Sequence, residues 1–215
     1  MSMTLLSYWR SSCSWRVRIA LNFKGSSYET LPVHLVKDGG EQHTEAHRAR
    51  NPMREIPVLL VDEQPLAQSM AILEYLEEVQ PDPALLPKAA IDRARVRQMA
   101  EIINSGIQPI QNLRVMQKLG RDFELPKEAQ VGWSRDWITF GFDALAKLVD
   151  AHGGRYAFGD AISFADLCLI PQLYNARRFS VELERYPKLL EIEKNLEGHQ
   201  AFVAAHPDAQ PDAVK

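Results

Sequence analysis

The feature that most limits the fold is a short apolar strand that is followed at once by a helix and then by a second strand. Residues 3–8 and 28–36 have the patterns of strands, and between them Val17, Ala20 and Leu21 recur at helical spacing. Two strands joined by a helix form a βαβ unit, in which the strands pair in parallel. The chain is therefore predicted to begin with an α/β domain.

A second group of elements completes this domain. Residues 58–61 are predicted to form an apolar strand, Asp62-Glu63 a hairpin turn, and Pro65-Leu66 the returning strand. Gln68-Ser69 then opens a helix, and Ser69 is expected to be its N-cap. The buried stripe of this helix is predicted to consist of Ile72, Leu73, Leu76 and Val79. The element order is thus βαβ followed by ββα.

A proline-rich segment marks the domain boundary. Residues 80–87 contain three prolines, which predicts a linker between a domain at 1–83 and a second domain at 88–215. Helical periodicity dominates the second domain. A long helical pattern covers 89–119 and is interrupted at Gly106 and Pro109, where a kink is expected.

Two further helical patterns follow. A helix is predicted over 126–150, and Trp133, Trp137 and Phe140 are expected in its core face. Ser163-x-x-Asp166 is typical of a capping box ahead of an apolar helix. The second domain is therefore predicted to be helical.

Composition excludes several classes of protein. The chain has 215 residues, 46% of them hydrophobic, a net charge of −3 and no basic tract that would indicate nucleic-acid binding. No apolar run is long enough to span a membrane and no secretory signal pattern is present, so a cytoplasmic protein is expected. Cys13 and Cys168 provide neither a disulfide framework nor a zinc site. His43 and His47 have metal-ligand spacing, but a charged surface helix explains them better, and no metal is expected.

The first helix begins with Ser11, Ser12 and Cys13. The first N–H groups of a helix lack internal acceptors, and the helix dipole places partial positive charge there, so this position stabilises anions. A thiolate is such an anion, and lowering the pKa of a thiol makes it mostly nucleophilic at neutral pH. The alternative is that Ser11 or Ser12 serves only as a helix N-cap.

A resemblance favours the first interpretation. Residues 11–18 resemble the active-site signature of zeta-class glutathione transferases, the maleylacetoacetate isomerases. Further matches span almost the whole chain, at 68–69, 106–109, 111–113, 165–168 and 210–212. The resemblance implies a thioredoxin-like N-terminal domain, an all-α C-terminal domain, glutathione as cofactor and a homodimer.

The resemblance also implies site residues. Ser11 is the first choice for stabilising the thiolate, with Ser12 and Cys13 alongside. Ile56, before a cis proline, would pair with the cysteine part of glutathione, and Gln68-Ser69 would bind its γ-glutamyl end. The full set of implied glutathione contacts is Ser11, Ser12, Cys13, Gln42, Ile56, Gln68, Ser69, Gln108 and Asn112. For Gln108 and Asn112, four residues apart, a helix–helix hydrogen-bond pair is the alternative.

The implied reaction is isomerisation of maleylacetoacetate to fumarylacetoacetate in tyrosine and phenylalanine catabolism, through addition of a thiolate, bond rotation and elimination. Its substrate carries negative charge, and the cations considered for its carboxylates are Arg10, Arg16, Arg114 and Arg178. Arg178 matches a family position of this kind, whereas Arg177 is interpreted as surface charge.

Alternatives stay open at this point. Arg114 also fits the related bacterial maleylpyruvate isomerases, while Cys13 favours maleylacetoacetate. Cys13 is itself an alternative covalent nucleophile. A general glutathione transferase or peroxidase would use the same activated thiol, and a non-catalytic binding module would use only the fold.

Overall fold

The structure of the protein is a computed structural model that describes residues 2–214. The chain divides into two compact units. The first consists of the residues up to Ala84 together with those from Glu197 onward, and the second is Leu85–Leu196. The unit boundary therefore falls inside the predicted proline-rich linker.

The first unit is built on a mixed sheet. Its elements up to the boundary are, in chain order, β1 (Met3–Ser7), α1 (Ser12–Phe23), β2 (Glu29–Pro32), α2 (Glu45–Arg50), β3 (Val58–Val61), β4 (Gln64–Ala67) and α3 (Ser69–Val79). Among the described residues the sheet has four strands in the order β2-β1-β3-β4. β1 pairs with β2 in parallel, and β3 is antiparallel to both β1 and β4. The predicted βαβ-ββα order is confirmed.

Both faces of the central strands are covered. Leu5 and Leu6 of β1 are each at most 1% exposed although neighbouring residues of a strand point to opposite faces. The predicted stripe of α3 is buried at Ile72, Leu73 and Leu76. The prediction was wrong for Val79, which is 45% exposed because it is the last residue of the helix.

The second unit is helical, as predicted. Its helices are α4 (Ala90–Glu101), α5 (Leu113–Asp122), α6 (Lys127–His152), α7 (Phe164–Arg178) and α8 (Pro187–Leu196). The expectation that all three aromatic residues of α6 lie in the core was wrong. Phe140 is 70% exposed and Trp133 37% exposed, and their rings form a row with Trp137 along the helix surface.

The helical pattern over 89–119 is interrupted, as predicted, but it forms two separate helices rather than one kinked helix. After α4 the backbone widens into a π-helical segment, Ile102–Ile107, in which the N–H of Gln108 donates to the carbonyl of Ile103 at 2.9 Å. Pro109 has no N–H with which to continue the helix. α5 starts anew at Asn112, whose side chain accepts from the N–H of Arg114 at 3.1 Å.

The C-terminal residues differ from the predicted assignment of 88–215 to one domain. α9 (Gln200–Ala205) packs against α1, and the segment from Glu197 onward belongs to the first unit. One reason is the fully buried guanidinium of Arg18, which donates from Nε and Nη2 to the carbonyl of Ala205 at 3.1 and 3.0 Å. A buried cation needs acceptors, and the last carbonyls of a helix lack helical partners.

Across residues 2–214, no helix is both long enough and apolar enough to cross a membrane.

The capping box of α7 is present as predicted. Asp166 is completely buried and accepts hydrogen bonds from the backbone N–H groups of Ala157 and Ser163, both at 2.8 Å, and from the hydroxyl of Ser163 at 2.9 Å. Burial raises the pKa of Asp166 to about 6, and these three donors oppose that rise. The carboxyl thus joins the loop before α7 to the first turn of the helix.

Replacing Asp166 with Ala is expected to lower the free energy of unfolding by about 3 kcal/mol, because two buried N–H groups lose their acceptor. Asp160→Ala is the matched control, since Asp160 is exposed and accepts from the N–H of Arg155 alone among the described contacts. Denaturant unfolding of both variants measures the difference. Equal losses would contradict the structural role assigned to Asp166.

Candidate active site

The junction between β1 and α1 places Ser11 at the N-cap of the helix. Its φ and ψ are −70° and 120°, and its Oγ accepts from the N–H of Ser14 at 3.2 Å. A hydroxyl that accepts one hydrogen bond still has its own proton to donate. The capping role and the predicted role toward a thiolate are therefore compatible.

The neighbours of Ser11 lie within reach of solvent. Ser11, Ser12 and Cys13 are all half-buried, whereas the residues from Ser14 to Leu21 are buried. The start of α1 is thus the only part of its first two turns that a ligand can approach. A helix whose body is buried and whose N-terminus is partly open presents its positive end to an anion.

A second helix N-terminus belongs to α3. Gln68 occupies the N-cap position with a φ of 72°, and no side chain caps the helix there. The expectation that Ser69 is the cap was wrong, because Ser69 is already the first helical residue. Its buried hydroxyl instead accepts from Nη1 of Arg16 at 3.3 Å. The uncapped N-terminus can receive a carboxylate from a ligand.

Arg16 does not fit the predicted role in substrate binding. Its side chain lies within α1 at 0% exposure, so a substrate carboxylate in solvent cannot contact its guanidinium. The sequence pattern could not show this, because arginine is usually found on the surface.

The segment before β3 holds two other predicted residues. Gln42 is 7% exposed, and its Nε2 donates to the carbonyl of Leu35 at 3.1 Å while its buried Oε1 has no partner among the described residues. The peptide between Ile56 and Pro57 is cis, as the resemblance implied. Ile56 is 9% exposed.

Sequence reasoning missed the residues that hold this segment. The carbonyl of Glu55 lies 3.0 Å from Nε2 of His47 and accepts from Nδ2 of Asn51 at 2.9 Å. Both side chains are buried. His47, weighed earlier as a metal ligand, thus fixes the backbone next to Ile56, and no group of three potential ligands is found within the described part of the chain. The pattern of apolar residues around His47 does not predict that its side chain contacts the carbonyl of Glu55.

The other three arginines considered for substrate binding are accessible to solvent. Arg10 is half-buried with its guanidinium carbon 5.2 Å from the ring centre of Trp9. In the second unit, Arg114 and Arg178 are exposed, and Nη1 of Arg178 donates to Asn175 at 3.0 Å. Arg177 forms an ion pair with Glu193, in agreement with its interpretation as surface charge.

Gln108 and Asn112 have different surroundings. Gln108 is 8% exposed, and its Nε2 donates to Oε1 of Gln172 on α7 at 3.2 Å, so a contact between helical segments is present. Gln111 donates to the same oxygen at 3.0 Å. Asn112 caps α5 and is half-buried. The two amides therefore do not form one helical face, because the helix is interrupted between them.

Comparison with known proteins agrees with this geometry. The family model "Glutathione S-transferase, N-terminal domain" matches residues 1–78, and "Glutathione S-transferase, C-terminal domain" matches residues 121–204. The probable maleylacetoacetate isomerase 2 of Drosophila melanogaster is 50% identical over 97% of this chain and 89% of its own length. The maleylacetoacetate isomerase of Mus musculus is 49% identical over 97% of this chain and 94% of its own.

Solved structures are similar over the whole chain. A maleyl pyruvate isomerase described as a bacterial zeta-class glutathione S-transferase has a TM-score of 0.94 at 45% identity, covering 98% of this chain and 100% of that one. A maleylacetoacetate isomerase of Anaeromyxobacter dehalogenans with glutathione in its active site has a TM-score of 0.89 at 48% identity, covering 99% and 98%. Another structure of that enzyme contains dicarboxyethyl glutathione and citrate.

The chain therefore belongs to the glutathione S-transferase family. Its similarity to maleylacetoacetate isomerases over nearly their full lengths confirms the zeta-class resemblance of residues 11–18.

Proposed function

We propose that the protein catalyses the glutathione-dependent cis–trans isomerisation of maleylacetoacetate to fumarylacetoacetate. The observation that carries this proposal is the N-terminus of α1, where the Ser11 hydroxyl caps the helix and remains able to donate a hydrogen bond. The maleylacetoacetate isomerases that match this chain over almost its full length support the choice of reaction.

The first unit offers a set of groups that fits glutathione. The uncapped N-terminus of α3 at Gln68-Ser69 suits the carboxylate of its γ-glutamyl end. Gln42, which is 7% exposed, is a further glutathione contact in this proposal. We assign the backbone of Ile56, which precedes the cis peptide bond to Pro57, to the cysteine part of glutathione. Gln108 and Asn112 are further contacts in this proposal.

The chemistry that glutathione supplies when bound is addition of its thiolate to the cis double bond, rotation about the resulting single bond, and elimination to the trans product with glutathione unchanged. Ser11 donates a hydrogen bond that favours the thiolate over the thiol, which lowers the pKa of the thiol. Ser12 and Cys13 add polar groups beside it. The dipole of α1 acts in the same direction.

The substrate carboxylates require cations. Arg10 is the accessible candidate of the first unit, and Arg114 and Arg178 are those of the second. Charge-assisted hydrogen bonds from guanidinium groups to carboxylates are stronger than neutral ones. We assign the principal contact with a substrate carboxylate to Arg178. The proposed small-molecule partner is a dicarboxylate such as maleylacetoacetate.

Maleylpyruvate isomerisation is the second candidate. It is favoured by Arg114 and by the similarity to the zeta-class maleyl pyruvate isomerase. The motif residue Cys13 favours maleylacetoacetate. Conjugation or peroxide reduction with the same thiolate would be a side activity of this site.

The proposal also includes the setting of the enzyme. We place it in the cytoplasm, since glutathione is abundant in reducing compartments. A homodimer is proposed from the family resemblance.

The direct test is absorbance-followed isomerisation of maleylacetoacetate and of maleylpyruvate by the purified protein, each with and without glutathione. We expect glutathione-dependent turnover with maleylacetoacetate preferred. Preference for maleylpyruvate would select the second candidate. Binding of glutathione without turnover of either compound would contradict an isomerase.

Ser11→Ala is expected to lower kcat roughly 100-fold, because it removes a hydrogen-bond donor that stabilises developing charge. Ser27→Ala is the matched control, since Ser27 is exposed in the loop after α1, and its kcat should stay at the wild-type value. Thermal unfolding of both variants verifies their folding. An unchanged kcat in folded Ser11→Ala would remove Ser11 from the mechanism.

Arg178→Ala is expected to raise the substrate KM about tenfold with little change in kcat, because it removes a charged hydrogen bond to the substrate. The neighbouring Arg177→Ala is the control, since Arg177 pairs with Glu193. Steady-state kinetics of both variants distinguish the two arginines. Equal KM values for the two variants would argue against the assignment of Arg178.

A further inference from the structure

The peptide of Trp9 is held on both sides by residues distant in sequence. Its N–H donates to Oδ2 of Asp212 at 2.9 Å, and its carbonyl accepts from Nη2 of Arg18 at 2.9 Å. Trp9 lies two residues after the end of β1 and two residues before Ser11. The C-terminal tail and the middle of α1 therefore meet on the segment that leads to the catalytic serine.

Arg18 joins this segment to the end of α9. Its Nη1 donates to the hydroxyl of Ser7 at 3.0 Å and to the carbonyl of Tyr8 at 3.4 Å. Its Nε and Nη2 both donate to the carbonyl of Ala205. One planar guanidinium thus binds three consecutive residues at the end of β1 and one residue of the C-terminal segment, which a lysine could not do.

The charge of Arg18 is retained despite its burial. Loss of water lowers the pKa of Arg18 to about 10, while the nearby Tyr28 and Asp212 oppose this change. The group stays cationic at neutral pH, so its carbonyl acceptors and the Asp212 carboxylate have to remain in place. A group of this kind holds its neighbours in one arrangement because a buried cation tolerates the loss of acceptors poorly.

The arrangement reaches Ser11 through one more hydrogen bond. The N–H of Ser11 donates to the carbonyl of Tyr8 at 3.0 Å, closing the turn between β1 and α1. The location of the Tyr8 and Trp9 peptides therefore determines where the Ser11 hydroxyl lies. Arg10, whose guanidinium stands over the Trp9 ring, is carried on the same turn.

We propose that Asp212 and Arg18 are positioning residues for Ser11, and that the C-terminal tail is in this way part of the catalytic apparatus. The C-terminal clasp, meaning Asp212, Arg18 and the carbonyl of Ala205, fixes the turn from which Ser11 acts. The inference rests on the proposed role of Ser11. It extends that role to a segment some 200 residues away in sequence, since Trp9 and Asp212 are separated by 203 positions.

The test compares Asp212→Ala with Asp208→Ala. Asp208 lies in the same tail, is exposed and contacts His206 rather than Trp9. Asp212→Ala is expected to lower kcat roughly tenfold with the KM for glutathione within about twofold, because misplacement of a catalytic group affects the reaction more than binding. Asp208→Ala should match the wild type. Asp212→Asn should recover most of kcat, since its Oδ1 can still accept from Trp9.

Two further readouts separate positioning from stability. Exchange of the Trp9 amide hydrogen should accelerate in Asp212→Ala and stay slow in Asp208→Ala, and circular dichroism should show folded proteins. If Asp212→Ala does not fold, the kcat of Asp212→Asn and the exchange of the Trp9 amide hydrogen in Asp208→Ala are compared with the wild-type values. An unchanged kcat in folded Asp212→Ala, or an equal loss in Asp212→Asn, would overturn the proposal.

Failure of the proposed function gives a different pattern. Wild-type protein without isomerase activity would contradict the reaction, whatever the variants do. The clasp is then judged by calorimetry in two buffers, which measures the proton released when glutathione binds as the thiolate. Less release by Asp212→Ala than by Asp208→Ala would support the clasp, and equal release would overturn it.

Discussion

The whole arrangement depends on the positive end of α1. A helix N-terminus stabilises an anion only where its N–H groups are oriented toward the ligand and water does not screen them completely. Here the body of α1 is buried from Ser14 to Leu21, while Ser11 to Cys13 stay half-buried. Both α3 and α9 pack against α1 and keep the helix in that position. Chemistry at the thiol follows from this placement.

The first unit places a second helix N-terminus beside a buried cation. Arg16 of α1 contacts Ser69 at the start of α3 through a hydrogen bond of 3.3 Å. This contact links the two helices whose N-termini the proposed function uses, one for the thiolate and one for a carboxylate. Arg16 thus stabilises the site by joining α1 to α3, although the sequence analysis predicted that it binds substrate directly.

The spacing of residues in the sequence predicted those elements that depend on interactions between residues close in sequence. Alternation and helical spacing were enough for β1, α1 and the βαβ-ββα order, and Ser163-x-x-Asp166 was enough for the cap of α7. Burial of Arg16 and exposure of Phe140 could not be predicted, because both depend on which element packs against each helix face. The C-terminal tail was assigned to the wrong unit for a similar reason. Its contacts with Arg18 and Trp9 join residues too far apart in sequence for any spacing rule.

The N-terminus of α1 is expected to favour a thiolate over a thiol. The most direct measurement is a pH titration of glutathione bound to the wild-type protein, followed by the ultraviolet absorbance of the thiolate and compared with free glutathione. We expect bound glutathione to ionise at a clearly lower pH than the free tripeptide. Ionisation of bound and free glutathione at the same pH would contradict it.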